Sequence, residues 1–226
     1  MKRLLTLICV LPLLSSAQDS ETGNWFQYFG NQKISKRWNW HNEVQYRNYN
    51  FAGDLEQLLL RTGFGYNLSE NNNNLLAGYG YIISENYVPG TDTKVRTTEH
   101  RFFEQFITRQ RFGRVYLQHR YRIEQRLIGD QDLRWRFRYF LSANVALNKK
   151  ELAKGALYLS AYNEIFVNGQ RPAFDRNRVY GALGYCFTPE LRLELGYMSQ
   201  IQETRQRPQF QVAFFNNLPL TRRDPS

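Results

Sequence analysis

Arginine recurs at alternate positions in two neighbouring segments of the chain, with Glu124 at one of these positions in the first segment. Residues 119–126 read His-Arg-Tyr-Arg-Ile-Glu-Gln-Arg, and residues 134–139 read Arg-Trp-Arg-Phe-Arg-Tyr. Side chains two residues apart in a β-strand point to the same face, so each segment would carry its guanidinium groups in a row. A guanidinium is a planar fork that binds carboxylates and phosphates through two parallel hydrogen bonds. The spacing therefore predicts ion pairing or anion binding along a sheet.

The same polar face continues on other alternating segments, where arginines outnumber acids. Its members are Arg47, Arg61, Arg120, Arg122, Arg126, Arg134, Arg136, Arg138, Arg178 and Arg192, with Glu43, Glu124, Glu164 and Glu194. We predict a charge network inside a closed sheet, formed by Arg120, Arg122, Glu124, Arg126, Arg134, Arg136, Arg138, Glu164 and Arg178. Antiparallel pairing about a short connection near Asp130 would set Glu124 opposite Arg136. The same register would set Arg122 opposite Arg138.

Two interpretations of this network stay open. It fills and stiffens a narrow barrel, or it makes a basic lumen that attracts anions. Glycines at positions 63, 65, 78 and 80 on facing strands would make room for the long side chains. Arginines left without acids need water or anions, so an entirely dry lumen is not expected.

The elements that must position these residues are β-strands, because hydrophobicity alternates with period two. The clearest segments are 38–48, 57–67, 115–127, 133–147 and 191–201, and looser ones are 24–32, 75–86, 99–110, 156–167, 178–187 and 209–215. We predict an all-β fold, an antiparallel up-and-down transmembrane β-barrel of about 10–12 strands. In 99–110 the parity is uncertain, since either Glu104 or Gln105 shares the polar face and a bulge would fit there.

Period two alone does not say which face looks inward. The apolar faces of the clearest strands carry no Lys, Arg, Asp or Glu, as hydrocarbon requires, and aromatic residues cluster near strand ends, as at Trp38 and Trp40. These features favour a barrel that spans a membrane. The alternative is a secreted soluble barrel that binds an apolar ligand inside.

The connections predict short turns at one end and longer links at the other, as in outer-membrane barrels. The short ones are 32–37, 69–74, 111–114, 148–155 and 188–190. The longer ones are 50–56, 86–98, 128–132, 168–177 and 202–208. Counting from residue 38 gives ten strands, whereas including 24–32 gives eleven.

Composition and the first residues indicate class and location. The 226 residues carry a formal net charge of +10, 15% aromatics and 2 Cys, which excludes a disordered chain, a disulfide scaffold and a cysteine-rich zinc module. A basic start, an apolar run to Leu14 and Ser15-Ser16-Ala17 predict a signal peptide at 1–17. We expect 18–226 to form a single barrel domain in a bacterial outer membrane.

Six segments carry a family resemblance: 99–105, 119–126, 134–139, 163–168, 175–185 and 193–198. They are similar to the domain of unknown function 2490 family, whose members resemble outer-membrane β-barrels of bacteria. The resemblance runs from about Trp25 to Phe215, and residues 119–126 are its most specific part. It implies the fold and the location but no established activity.

The sequence gives little indication of a catalytic site or a metal site. None of His41, His100 and His119 lies in a Gly-x-Ser-x-Gly context, so we expect no enzyme, no catalytic residue, no metal and no cofactor. We expect a structural role or porin-like passage of small solutes with anions preferred. The expected partners are outer-membrane lipid and small anionic solutes, and nucleic acid is not expected. A lipid-modifying outer-membrane enzyme is the alternative.

Overall fold

The computed structural model describes residues 22–69 and 72–221, which form one closed β-barrel. Its strands are β1 Gly23–Lys33, β2 Trp38–Asn48, β3 Leu55–Asn67, β4 Asn73–Tyr87, β5 Lys94–Phe112, β6 Val115–Ile128, β7 Arg134–Ala146, β8 Leu157–Asn168, β9 Phe174–Cys186, β10 Leu191–Ile201 and β11 Gln206–Asn216. The predicted all-β barrel class is confirmed. The predicted signal peptide at 1–17 lies outside the described residues.

The barrel closes through a parallel pair, which corrects the expectation of a wholly antiparallel sheet. Strands β1 and β11 pair in parallel, from Gly23 opposite Gln209 to Gly30 opposite Asn216, whereas all other neighbours are antiparallel. Eleven strands require this, because the first and last strands of an odd up-and-down meander run in the same direction. Even strand numbers are usual in bacterial single-chain outer-membrane barrels, and odd numbers also occur among membrane barrels, so the parallel seam departs from the usual bacterial count.

The apolar face of each strand looks outward and the polar face looks inward. On β10, Leu195 and Tyr197 are 49% and 52% exposed, whereas Glu194 on the opposite face is 4% exposed. This polarity is opposite to that of a soluble carrier, whose apolar residues would line the interior. Along the described chain there is no helix long and apolar enough to cross a membrane.

Small apolar clusters lie inside the barrel among the polar side chains. Trp25, Tyr180 and Met198 pack together on β1, β9 and β10. Nearer the opposite end, Tyr158 packs with Cys186, which is a free and buried thiol. Each cluster fills part of the interior with buried apolar side chains.

The two ends of the barrel do not differ in loop length, which corrects the expected alternation of short turns and long links. The connection 147–156 at the predicted short-turn end is the longest, and the connection at the other end that was expected to span 86–98 is shortened to 88–93. The hairpin of β4 and β5 is extended by pairs such as Glu85 opposite Arg96, which take residues out of the expected loop. Polar residues that the sequence pattern assigned to a loop therefore belong to the ends of β4 and β5.

The uncertain parity of β5 is resolved without a bulge. Pairing with β4 and β6 runs continuously through Glu104, which lies opposite Ala77 and Ile123. Gln105 faces the interior and is 5% exposed, whereas Glu104 lies on the outer face and accepts a hydrogen bond from Gln125 at 3.0 Å. The outer face thus carries one carboxylate in the middle of a strand, which the sequence pattern did not assign.

Candidate anion-binding lumen

A carboxylate on β6 is the centre of the interior charge network. Glu124 is 0% exposed and accepts hydrogen bonds from Arg136 at 2.6 and 2.9 Å and from Arg138 at 2.6 Å. Guanidinium nitrogens of Arg101 and Arg122 lie 3.6 Å from it. A single buried carboxylate therefore faces four arginines, which leaves positive charge that this acid does not balance.

The predicted cross-strand register is confirmed. Glu124 lies opposite Arg136, and Arg122 lies opposite Arg138 in the pairing of β6 with β7. Directly opposite side chains on one face of a sheet lie within about 4.5–5.5 Å at their β-carbons, so the ion pair follows from the register.

Arg138 joins this centre to a second carboxylate on β8. Its other guanidinium nitrogens donate to Glu164 at 2.6 and 3.1 Å. Glu164 also accepts from Arg120 at 2.8 Å, and Arg178 lies 3.9 Å away. Strands β6 to β9 are thereby linked through side chains as well as through their backbones.

Two further acids belong to the network and escaped the sequence analysis. Glu99 on β5 accepts hydrogen bonds from Arg101 at 2.7 Å and from Arg126 at 2.8 and 3.0 Å. Asp175 on β9 lies 3.0 Å from both Arg136 and Arg176. Glu99 was missed because the faces of β5 could not be assigned from the sequence, and Asp175 was missed because the start of β9 was assigned to a loop. The Glu-x-Arg spacing of Glu99 and Arg101 was the sequence feature that could have indicated an ion pair on β5.

The predicted network residues are brought together with one exception. Arg120, Arg122, Glu124, Arg126, Arg136, Arg138, Glu164 and Arg178 share the ion pairs described above. Arg134 is exposed at the first position of β7 and forms no ion pair within the described chain. Its strand position is correct, but it lies at the rim, where solvent competes for the guanidinium.

Another interior acid lies apart from these arginines. Glu194 on β10 accepts hydrogen bonds from Tyr158 at 2.9 Å and from Tyr180 at 3.3 Å. Arg192 stacks near Tyr158 and Phe215, with its guanidinium carbon 5.8 and 5.0 Å from the ring centroids. The interior therefore has an arginine–carboxylate part and a tyrosine-rich part.

Aromatic rings hold several guanidiniums in place. Phe166 on β8 lies beneath Arg138 and Arg178, whose guanidinium carbons are 4.4 and 4.7 Å from its centroid. Trp25 on β1 contacts Arg47 at 3.7 Å and Arg178 at 4.9 Å. The ring faces attract cations and fix their orientation without supplying a counter-charge.

Some buried arginines are held by amides rather than by carboxylates. Arg47 donates to Gln45 at 2.6 and 3.0 Å and to Gln57 at 2.7 Å. Arg178 donates to Gln200 at 2.9 and 3.0 Å. Amide oxygens satisfy hydrogen bonds but leave the charge uncompensated, which is costly in a desolvated interior.

Two neighbouring cavities with shared lining residues lie against these arginines. The first, which we name the vestibule, has a volume of about 360 Å³ and lies at the end with connections 49–54, 88–93 and 129–133. Its neutral lining side chains include Gln57, Ser84, Asn86, Thr97, Gln131 and Gln200. Its charged lining side chains are two acids, Glu56 and Glu99, and three arginines, Arg47, Arg126 and Arg176.

The second cavity, which we name the chamber, has a volume of about 60 Å³ and shares lining residues with the vestibule. Eight arginines line it: Arg47, Arg61, Arg101, Arg126, Arg136, Arg138, Arg176 and Arg178. Gln57, Leu59 and Phe166 complete the wall, and no acid of the described chain lines it. The carboxylates that pair with these arginines lie behind them.

The glycines of β3 and β4 make less room for arginine than the sequence suggested. A β-carbon at Gly80 would lie 3.0 Å from Cγ of Arg61. At Gly78 it would meet Phe103 at 2.5 Å, and at Gly65 it would meet Asn39 at 2.5 Å. Of these three glycines, only Gly80 leaves space for an arginine side chain, whereas Gly65 and Gly78 leave space for Asn39 and Phe103.

The histidines that were weighed as catalytic residues lie on different faces. His41 is inside, 3.4 Å from Glu43. His100 contacts Tyr79 at 2.6 Å and His119 contacts Tyr139 at 2.9 Å on the outer face. No group of three metal-ligating side chains occurs in the described part of the chain. That the chain is not an enzyme stays a prediction.

Comparison with known proteins gives a family and no characterised relative. No curated protein and no solved structure matches the chain. A family model described as "Protein of unknown function (DUF2490)" matches residues 22–211, which include β1 to β10 and the entire lining of both cavities. The chain therefore belongs to the DUF2490 family of proteins of unknown function.

Proposed function

We propose that the chain is a bacterial outer-membrane β-barrel that passes small hydrophilic solutes and prefers anions. Its outward apolar side chains and inward charges have the polarity that a lipid surround requires. A closed barrel pairs its strand backbones without an open edge, which suits a hydrocarbon environment. The predicted signal peptide is consistent with export.

The chamber is the observation that carries the preference for anions. Eight arginines meet at one cavity whose wall has no acid from the described chain. Rings of charged side chains set the ion selectivity of pores, and a low-dielectric wall strengthens their field. Cations would be repelled at this level of the lumen, and anions entering from the vestibule would be attracted.

Ion selectivity in a planar bilayer tests this function. With purified, folded protein and a KCl gradient, we expect a conductance whose reversal potential reports chloride preference. Arg47→Gln together with Arg178→Gln should weaken that preference, because the charges lost have no carboxylate hydrogen-bond partner. Arg205→Gln, at an exposed position of the 202–205 connection, is the matched control. Absence of any conductance, or cation preference, would overturn the proposal.

The location is tested independently by fractionation of a native bacterial host. We expect the protein in the detergent-extracted outer membrane and a change of gel mobility when the sample is boiled. Release into the soluble fraction, with no change of mobility, would contradict the location.

The single mid-strand carboxylate on the outer face gives a thermodynamic test of lipid contact. Glu104→Leu should raise the free energy of unfolding in lipid bilayers by about 1–2 kcal/mol, since acidic side chains at mid-depth are destabilising. Denaturant titration in liposomes measures this change. Glu85→Leu is the control, because Glu85 lies near the end of β4 opposite Arg96. Equal or negative changes for both variants would argue against hydrocarbon at the middle of the outer face.

A further inference from the structure

The chamber holds two guanidiniums that have fixed positions and no carboxylate in hydrogen-bond contact. Arg47 and Arg178 are each 7% exposed and are oriented by glutamines and by the Trp25 ring. No described carboxylate lies within 3.5 Å of either group, and the nearest to Arg178 is Glu164 at 3.9 Å. A preorganised pair of donors with uncompensated charge is complementary to an anion.

The size of the chamber limits that anion. A water occupies about 30 Å³ at liquid density, so a volume of about 60 Å³ limits the occupant to about two waters or one small compact anion, such as a tetrahedral oxyanion. The Nε edges of Arg47 and Arg178 donate to Gln45 and Gln200, so the remaining Nη hydrogens are the donors left for an anion. Such planar donors suit the separate oxygens of an oxyanion better than a spherical halide.

The vestibule limits what is attached to the anion. Its wall carries neutral amides and hydroxyls, including Gln57, Ser84 and Thr97, which suit the hydroxyl groups of a small polar body. Glu56 and Glu99 in the same wall would repel a second anionic group. The two cavities together therefore favour one anionic head with an uncharged hydroxylated body.

We propose that the chamber is a binding site for a tetrahedral oxyanion of the phosphate or sulfate type, either free or as the head of a small hydroxylated ester. Arg47 and Arg178 donate to its oxygens, and the ester body lies in the vestibule. The inference rests on the proposed function, because the site lies on the route that anions would take. The proposed function needs only the positive charge of the lumen to prefer anions, and this inference adds a saturable anion-binding site in the chamber.

Thermal unfolding of the folded barrel in detergent micelles tests the site. The probes are inorganic phosphate, sulfate and glycerol phosphate, with chloride at equal ionic strength as reference. A ligand that binds only the folded state raises Tm with its concentration. We expect saturable increases with the oxyanions and none with chloride beyond the effect of ionic strength. Glycerol phosphate binding more tightly than inorganic phosphate would identify the ester, and the reverse order would identify the free ion.

Variants separate binding from a structural role. Arg47→Gln with Arg178→Gln should raise the Kd for phosphate about tenfold or more while keeping Tm without oxyanion unchanged or higher, because uncompensated charge is removed. Arg47→Lys keeps the charge but not the fork and should weaken binding less. Arg205→Gln should leave the Kd unchanged.

Several outcomes would overturn the site. They are equal Tm increases with chloride and phosphate, or phosphate binding that the double variant does not change. In either case chloride selectivity in the bilayer would still stand, so failure of the site and failure of the proposed function are distinguishable.

Discussion

Glu124→Gln is expected to lower the free energy of unfolding of the barrel by about 3–5 kcal/mol, the usual effect of removing one partner of a buried ion pair. Glu124 is fully buried and accepts the hydrogen bonds of Arg136 and Arg138. The glutamine keeps the volume but leaves the surrounding arginines without their central charge. Denaturant titration of the folded barrel in micelles or liposomes measures the change.

An exposed ion pair supplies the matched control for Glu124. Arg111 and Glu151 lie 3.4 Å apart with side chains 49% and 58% exposed, so Glu151→Gln should cost no more than about 1 kcal/mol. Replacing Glu124 and Arg136 together by methionines should recover part of the loss, since one of the excess charges disappears with the acid. A Glu124→Gln variant as stable as Glu151→Gln would show that the central carboxylate does not hold the network together.

Gly184→Ala is expected to destabilise the barrel by about 1–3 kcal/mol through overpacking. Gly184 on β9 lies opposite Tyr158 on β8, and a β-carbon there would fall 2.2 Å from the ring of Tyr158. The ring is fully buried and its hydroxyl donates to Glu194 at 2.9 Å, so it has little freedom to move away. Denaturant titration measures the loss, and near-ultraviolet circular dichroism reports displacement of the tyrosine.

Gly181 on the same strand provides the control for Gly184. A β-carbon at Gly181 would meet nothing within 4 Å, so alanine there should be neutral or stabilising by up to about 1 kcal/mol. Combining Gly184→Ala with Tyr158→Leu should recover part of the loss, because the smaller side chain leaves room for the methyl group. Equal stability of the Gly184 and Gly181 variants would contradict the packing argument.

The interior charge network and the proposed anion route are two consequences of the same residues. Carboxylates such as Glu124 and Glu164 neutralise part of the arginine charge and hold strands β6 to β9 together. Arginines such as Arg47 and Arg178 have amide partners and keep their charge available. The stiffening interpretation therefore fits the arginines that have carboxylate partners, whereas the proposed basic lumen depends on the arginines held by amides.

The sequence by itself determined the features that depend on near neighbours. Alternation with period two defines which residues share a face, so the strands could be predicted. The charge-free apolar faces and the aromatic residues near strand ends then predicted that the apolar face looks outward. The short connection 129–133 fixes how β6 meets β7, so the pairing of Glu124 with Arg136 could be predicted as well. Where alternation was ambiguous, as at Glu104 and Gln105 on β5, the pattern did not determine the face.

Only the tertiary structure decided how the sheet closes and which distant side chains meet. Strands β1 and β11 pair at the seam, and Arg207 on β11 consequently lies 2.8 Å from Glu56 on β3. Arg47 and Arg178 contact the same Trp25 ring because closure brings β2 and β9 to opposite sides of β1. Strand number, tilt and register together set the closure of a barrel, and these are properties of the entire sheet. Periodicity is local, so it predicted charged faces but not the chamber that forms where seven of the strands converge.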